Sequence, residues 1–396
     1  MKKHFLFTSV PASGHVNPTL ALVSELIDRG HSVSYAVGPE QFDAVLPTGA
    51  ELVELPTRMP DLGDLRGRGP GPEHIERMIE FFVSDVRECL PILLDRFAEN
   101  PPDAVCFDAM TAVGRMFADK LGLPAIALTP NFASNEEFDL RQVLAAEHAM
   151  PGGPAAADLA EIQEAMSELS EEFGVAMPPV FGGTPAELNL VFLPEAFQLR
   201  HETFDQRFRF IGPQLGDREN ETYQPADPRR PLLFISLGTA FNERPDFYRS
   251  CLRAFGGTQW QVAMSVGTRV DVDALGEIPE NFDVRPSFPQ PAVLRHASAF
   301  VSHAGMNSTM ESLNCAVPLV AVPQMPEQSA NAARVEELGL GIELDPETAS
   351  AAELRDAVDR VATDQRMRAN LAHMRELVAA SGGAPAGADA LESHLS

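Results

Sequence analysis

Residues 299–328 read AFVSHAGMNSTMESLNCAVPLVAVPQMPEQ, two apolar runs that each break into a turn carrying polar side chains. Ala299 to Ser302 has the composition of a buried strand. It breaks at His303-Ala304-Gly305 into Met306-Asn307-Ser308-Thr309, which predicts a turn opening a helix with Asn or Ser as its N-cap. Such a turn gathers backbone amides and the positive end of a helix at one point. A diphosphate suits that point, because several N–H groups can each make a charge-assisted hydrogen bond to it while Gly305 lets the oxygens come close. His303 and Ser308 add side-chain donors. Glu311 lies one helical turn on, and a carboxylate there can accept hydrogen bonds from both hydroxyls of a ribose. The second run, Pro318 to Pro323, ends at Gln324 and delivers Glu327 and Gln328, an acceptor and an amide suited to sugar hydroxyls.

A strand, a glycine turn and a helix are common punctuation in doubly wound domains and specify little alone. The longer string is more specific. Ser236-Leu237-Gly238-Thr239, Pro289-Gln290, His303 to Thr309, Glu311 and Pro326-Glu327-Gln328, in this order, resemble the donor signature of family 1 glycosyltransferases. The chain is most similar to the bacterial macrolide-type enzymes, and the resemblance runs from the first strand to the end. It implies an α/β GT-B fold, two facing Rossmann-like doubly wound domains with a cleft between them. It also implies a UDP- or dTDP-sugar consumed as substrate, with no metal and no cofactor. The donor positions that it implies are Ser236, Gly238, Thr239, Phe288, Gln290, His303, Gly305, Met306, Asn307, Ser308, Glu311, Glu327 and Gln328. Two positions depart from the pattern. Ser287 stands where many members carry an aromatic residue that stacks on the nucleobase, so the stack is either lost or relocated to Phe288. Glu327 stands where Asp is frequent, which keeps the carboxylate and changes its reach.

Composition sets the outer bounds. With 396 residues the chain has room for two domains with full cores, and a hydrophobic content of 44% fits a soluble globular protein. The 57 acidic residues against 30 basic ones give a formal charge of −27, which repels nucleic acid and anionic lipid. The start, Met1 to Phe7, has a positive flank, but its apolar run soon meets Pro11 and Gly14 and reads as a first strand rather than a signal peptide. No stretch approaches the roughly 20 apolar residues that span a bilayer. A cytoplasmic protein without stable membrane insertion, monomeric or homodimeric, is expected. Cys89, Cys106, Cys251 and Cys315 sit singly in apolar segments and are expected to be free thiols.

The first half alternates strands and helices: strands at His4–Ser9, Ser32–Val37, Glu51–Leu55, Asp103–Phe107 and Pro124–Thr129, with helices at Val16–Arg29, Glu73–Asn100 and Thr111–Leu121. Thr57 to Pro72 is a loop crowded with Pro, Gly, Asp and Arg. In the common 3-2-1-4-5 strand order, strands one and four are neighbours and ligands bind at their C-terminal ends. His15 follows strand one and Asp108 ends strand four. Adjacent strands lie about 4.8 Å apart, so an Asp–His hydrogen bond can span that crevice, the carboxylate orienting the ring while its other nitrogen takes a proton. A lone histidine near a turn is ordinarily a capping or packing residue, and Asp after a strand is often a helix N-cap. Gly14-His15-Val16-Asn17-Pro18, however, also resembles the family's catalytic segment, which implies a catalytic His15–Asp108 pair.

Amphipathic helices are expected at Asn135–His148 and Ala155–Phe173. Segments here line the acceptor pocket in the resembling family, which implies acceptor contacts for Ser13, Phe132, Phe138 and Met150; the alternative is that the aromatics are local core. Phe181 and Met166 carry the same pair of readings. Pro213 to Pro231, rich in Pro, Asp, Glu and Arg without periodicity, reads as an interdomain linker. The domain plan is therefore 1–212 for acceptor, 213–231 as linker, 232–380 for donor and 381–396 as a tail returning to the first domain. Within the second sheet the Ser236–Thr239 and His303–Ser308 loops should be adjacent.

The leading reading is an inverting glycosyltransferase acting on a hydroxyl of a hydrophobic small molecule such as a macrolide, other polyketide or phenolic. Two others stay open: a sugar-nucleotide epimerase of the same architecture, and a non-catalytic nucleotide-sugar-binding auxiliary protein.

Overall fold

In the first strand, His4–Thr8 (HFLFT), the side chains alternate faces, and both faces are apolar. Phe5 and Phe7 enter a core with Leu22, Leu26 and Tyr35, while Leu6 enters another with Leu90, Leu93, Phe107 and Phe117. A strand buried on both sides belongs inside a parallel sheet covered by helices. The computed structural model describes residues 1–59, 72–140, 143, 156–175, 185–239 and 242–396, and it contains two such sheets.

The chain divides into one unit of Met1–Gln214 with Ser381–Ser396 and another of Leu215–Ala380. In the first, β1 (His4–Thr8), β2 (Ser32–Val37), β3 (Glu51–Glu54), β4 (Ala104–Asp108), β5 (Ala125–Thr129), β6 (Leu188–Val191) and β7 (Phe208–Phe210) form one parallel sheet. Their order is β3-β2-β1-β4-β5-β6-β7. β1 and β4 are in register from Phe5↔Ala104 to Thr8↔Phe107, so their C-terminal ends meet where the order reverses. Helices Ser13–Asp28, Pro72–Arg96, Val113–Leu121 and Ala156–Phe173 cover the faces. The first of these begins three residues earlier than its apolar period suggests, which makes His15 helical.

Residues 383–394 also form a helix, Gly383–His394, within this unit. Ala388 and Leu391 join the core of Leu22 and Leu26, and Gly387 is close enough that a Cβ there would stand 3.0 Å from Leu22. Arg29 donates to Asp389 (2.6 Å) and Glu392 (3.0 Å), and His31 pairs with Glu392 at 2.8 Å.

The second unit has six parallel strands: β8 (Leu232–Ser236), β9 (Gln261–Ser265), β10 (Phe282–Arg285), β11 (Ala297–Ser302), β12 (Leu319–Ala321) and β13 (Gly341–Glu343). They run β10-β9-β8-β11-β12-β13, with Ser236 opposite Ser302 at the switch point. β13, only three residues long, carries no readable alternation in sequence. Cys89, Cys106, Cys251 and Cys315 are free thiols, the first three buried. Among the described residues no helix is long and apolar enough to cross a membrane. The expected helix over 135–148 is corrected at its start: residues 135–139 are not helical, and Asn135 Oδ1 instead accepts from the backbone N–H groups of Glu137 and Phe138 in a turn. Most of the rest of that segment, most of the expected loop at 57–72, Met150 and Phe181 lie outside the described residues.

Candidate active site

At the switch point of the first sheet, β4 ends on Asp108, which is 2% exposed, and the helix after β1 turns His15 toward it. His15 Nδ1 lies 2.6 Å from Asp108 Oδ2. Facing a carboxylate, Nδ1 is the donor, which fixes the tautomer and assigns proton transfer to Nε2. The other carboxylate oxygen, Oδ1, accepts from the Met110 backbone N–H at 2.7 Å. Asp108 is therefore not a helix N-cap: the following helix starts at Val113 with Ala112 as its cap. Asp108 is instead held by a tight turn of its own and spends its second oxygen on His15. Ser13 opens the same helix as His15.

A cavity of about 410 Å³ lies between β3's exit and helix Pro72–Arg96, lined by Pro56, Thr57, Arg58, Phe81 and the carboxylates of Glu80, Asp85 and Glu88, among others. Burial pushes the Asp85 carboxyl up, against hydrogen bonds from Cys89 and Thr111 that pull it down. Thr111 also donates its backbone N–H to the carbonyl of Asp108, so hydrogen bonds link the cavity-lining Asp85 to the turn beside the pair. Phe132 and Phe138 are placed elsewhere. Both are buried, Phe132 stacked on Phe197 (5.6 Å) and Phe138 edge-on to Phe204 (6.4 Å), in a segment pinned down by Asn135 and Gln198.

At the switch point of the second sheet the furnishing is mostly backbone. Helix Met306–Asn314 has Gly305 as N-cap, so the expected Asn or Ser cap is corrected: Asn307 and Ser308 lie inside the first turn. The reason is Ala304, whose left-handed backbone (φ 58°) turns the chain one step early. Asn331 steadies it by donating to the Ala304 carbonyl at 2.9 Å. The first intrahelical rung runs from Thr309 N–H to Gly305 C=O, so the amides of Met306, Asn307 and Ser308 all precede it.

His303 forms the floor. A Cβ at Gly238 (φ 76°) would stand 2.6 Å from its ring, and one at Gly305 would overlap its Nε2. Burial pushes the imidazole down to about 4, with the backbone of Ser236 pulling the other way, so the ring is neutral near pH 7. Ser236 Oγ accepts from Gly238 N–H at 3.3 Å, and Thr239 is exposed just beyond.

Glu311 is buried and held on both oxygens: Arg218 donates to one (2.7 Å) and Gln290 to the other (2.8 Å). The same Gln290 amide reaches Ser308 Oγ at 3.0 Å. Gln328 accepts from the Gln324 N–H at 2.8 Å, and Glu327 stands in the first turn of helix Pro326–Glu337. Arg244 donates to the Gln324 side chain and holds that loop. Ser287 is exposed. Phe288 is not: its ring meets the edges of Tyr223 and Phe234 (each 6.0 Å), and the Arg285 guanidinium covers it at 4.9 Å. That packing leaves Phe288 poorly placed to replace an aromatic at 287. Among the described residues no group of three His, Cys, Asp or Glu side chains is placed to hold a metal ion.

Residues 260–389 match the family described as erythromycin biosynthesis protein CIII-like, C-terminal domain. The NDP-glycosyltransferase YjiC of Bacillus licheniformis is 41% identical over 99% of this chain and 98% of its own length. The chain belongs to the macrolide-type family 1 glycosyltransferases. It transfers a sugar from a nucleotide sugar to a small-molecule acceptor. The demethyllactenocin mycarosyltransferase of Streptomyces fradiae is 36% identical over 99% of this chain and 87% of its own. The calicheamicin glycosyltransferase CalG4 has the same GT-B fold, with a TM-score of 0.85 at 34% identity over 100% of this chain and 98% of that one.

Against this glycosyltransferase frame, Arg218 and Arg244 are the residues that sequence reasoning missed. Each pairs with a side chain 80 or more positions away, a spacing with no local signature.

Proposed function

We propose that the transfer is inverting and needs neither metal nor cofactor, with His15 as general base, Asp108 as its partner and a hydroxyl of a hydrophobic macrolide, other polyketide or phenolic as the acceptor. The observation that carries this reading is the 2.6 Å contact between His15 Nδ1 and Asp108 Oδ2. As the acceptor oxygen attacks the anomeric carbon, Nε2 takes its proton and the buried carboxylate stabilises the imidazolium that forms. The C–O bond to the diphosphate breaks at the same time. Charge gathers on the leaving oxygens, and the amides of Met306 and Ser308 with the helix end behind them are fixed donors for it. Glu311 accepts from the ribose, Gln290 holds Glu311 and Ser308 together, and Glu327 and Gln328 take the sugar hydroxyls. The cavity beside Asp85 receives part of the acceptor. The protein works in the cytoplasm as a monomer or homodimer.

Mass spectrometry of UDP- and dTDP-sugars incubated with mixed hydrophobic alcohols tests the reaction, and the anomeric coupling constant of the product reads the stereochemistry. Product of retained configuration, or activity abolished by chelator and restored by a divalent cation, would refute the proposal.

A further inference from the structure

The segment Gly216–Asn220 reads in sequence as linker, yet it forms a short 3₁₀ turn that closes on the donor-side residues of its own unit. Arg218 reaches Glu311, the Glu221 carbonyl accepts from Arg295, and the Tyr223 ring meets Phe288. Arg218 is 29% exposed and Glu311 5%, so the ion pair is largely screened from water on the carboxylate side. A buried carboxylate is costly unless paired, and here one oxygen is held by a guanidinium and the other by the Gln290 amide. Two fixed donors on two oxygens leave the Glu311 side chain a single orientation. Each oxygen keeps a lone pair for a further hydroxyl.

We propose that Arg218 is the residue that lets the enzyme read the 2′-hydroxyl of its donor nucleotide, by holding the Glu311 side chain oriented for both hydroxyls of a ribose; this rests on the reading of Glu311 as the ribose acceptor. A 2′-deoxyribose offers that carboxylate one hydroxyl instead of two. Loss of the orientation therefore falls harder on UDP than on dTDP.

Calorimetry of UDP and dTDP against the full-length protein tests this with Arg218→Met, Arg218→Lys, Glu311→Gln and the double variant Arg218→Met/Glu311→Gln. Arg218→Met should weaken UDP about tenfold and dTDP no more than about threefold, the scale of part of a charged hydrogen bond. Arg218→Lys keeps the charge without the planar fork and should recover most of the UDP affinity. In the Glu311→Gln background, adding Arg218→Met should change UDP affinity less than about twofold, because coupled residues are not additive. Equal weakening of the two nucleotides, or additive effects in the double variant, overturns the proposal. If Arg218→Met proves too unstable to assay, the Lys variant and the Glu311→Gln pair decide alone. Should Glu311→Gln itself leave UDP and dTDP unaffected, the ribose reading fails; should Glu311→Gln weaken UDP selectively while Arg218→Met does not, only the role of Arg218 fails.

Discussion

In the first unit the crevice beside β1 and β4 is furnished with side chains, an imidazole and a buried carboxylate 2.6 Å apart. In the second, the corresponding crevice beside β8 and β11 is furnished with backbone: a glycine-capped helix start, a left-handed alanine and two glycines closed over a neutral histidine. The sheets share the same reversal of strand order, so topology supplies the place and not the chemistry. Proton transfer needs a group that changes charge, and only a side chain can do that. Binding a diphosphate needs many fixed donors at short range, and main-chain amides supply them with little entropy lost on binding.

The contrast can be broken most sharply at His15. His15→Ala should lower turnover by about 10³-fold, within the range of general acid–base catalysis, and leave nucleotide affinity close to wild type. A variant of near-normal turnover would remove the side-chain half of the comparison. Asp108→Asn should lower turnover by about 10²-fold, because an amide can present either a donor or an acceptor to Nδ1 and no longer fixes the tautomer. Its melting temperature should fall only slightly, since Asn keeps an oxygen for the Met110 N–H. A large loss of stability with unchanged specific activity of the folded fraction would show that the turn is all that Asp108 supports.

The backbone half is broken at Gly305. Gly305→Ala forces a methyl into the His303 ring and should cost about 1–3 kcal/mol in stability, with loss of nucleotide binding. His303 itself predicts a pH dependence. Its folded value, about 4, lies below the ordinary 6.5, so between those values the unfolded chain holds a proton that the native one refuses. Stability from this group is complete above pH 6.5 and is lost as pH falls toward 4, by about 1.4 kcal/mol per pH unit at the steepest. Urea melts of wild type and His303→Gln across that window should converge as pH falls; parallel curves would contradict the neutral ring.

Smaller effects sharpen the comparison. Ser287→Trp should tighten nucleotide binding by about 1 kcal/mol through ring stacking on the base, given that Phe288 is already packed among Tyr223, Phe234 and Arg285. Sharply weakened binding in Phe288→Ala with no gain from Ser287→Trp would reverse that assignment. The smallest change is expected at Gly14. No atom lies within 4 Å of where its Cβ would be, and the residue is helical, so Gly14→Ala should raise stability by up to about 1 kcal/mol. Where chemistry is carried by side chains, the neighbouring backbone tolerates substitution.

Legibility followed the same division. His15 and Asp108 were readable because a general topological rule brings the ends of strands one and four together and because side chains are written in the sequence. The His303–Ser308 turn was readable as a place, but its geometry was not. Ala304 takes a glycine-like conformation under the hold of an amide 27 residues on, and no propensity of alanine announces it. That early turn is why Asn307 and Ser308 sit in the helix instead of capping it. Phe132 and Phe138 show a second limit, since apolar composition looks the same in a core as in a pocket wall. Arg218 shows a third, a partner 93 residues distant in a stretch whose composition suggests only a connector.

The helix Gly383–His394 gives the chain an unusual order of completion. Ala388 and Leu391 are part of the core around Leu22 and Leu26, yet in the chain they follow the whole of the second unit. During synthesis the second unit, Leu215–Ala380, has all its described strands before the first gains the Gly383–His394 helix. The first unit is therefore completed after the second. Until then Leu22 and Leu26 lack their cover, and Arg29 and His31 wait for Asp389 and Glu392.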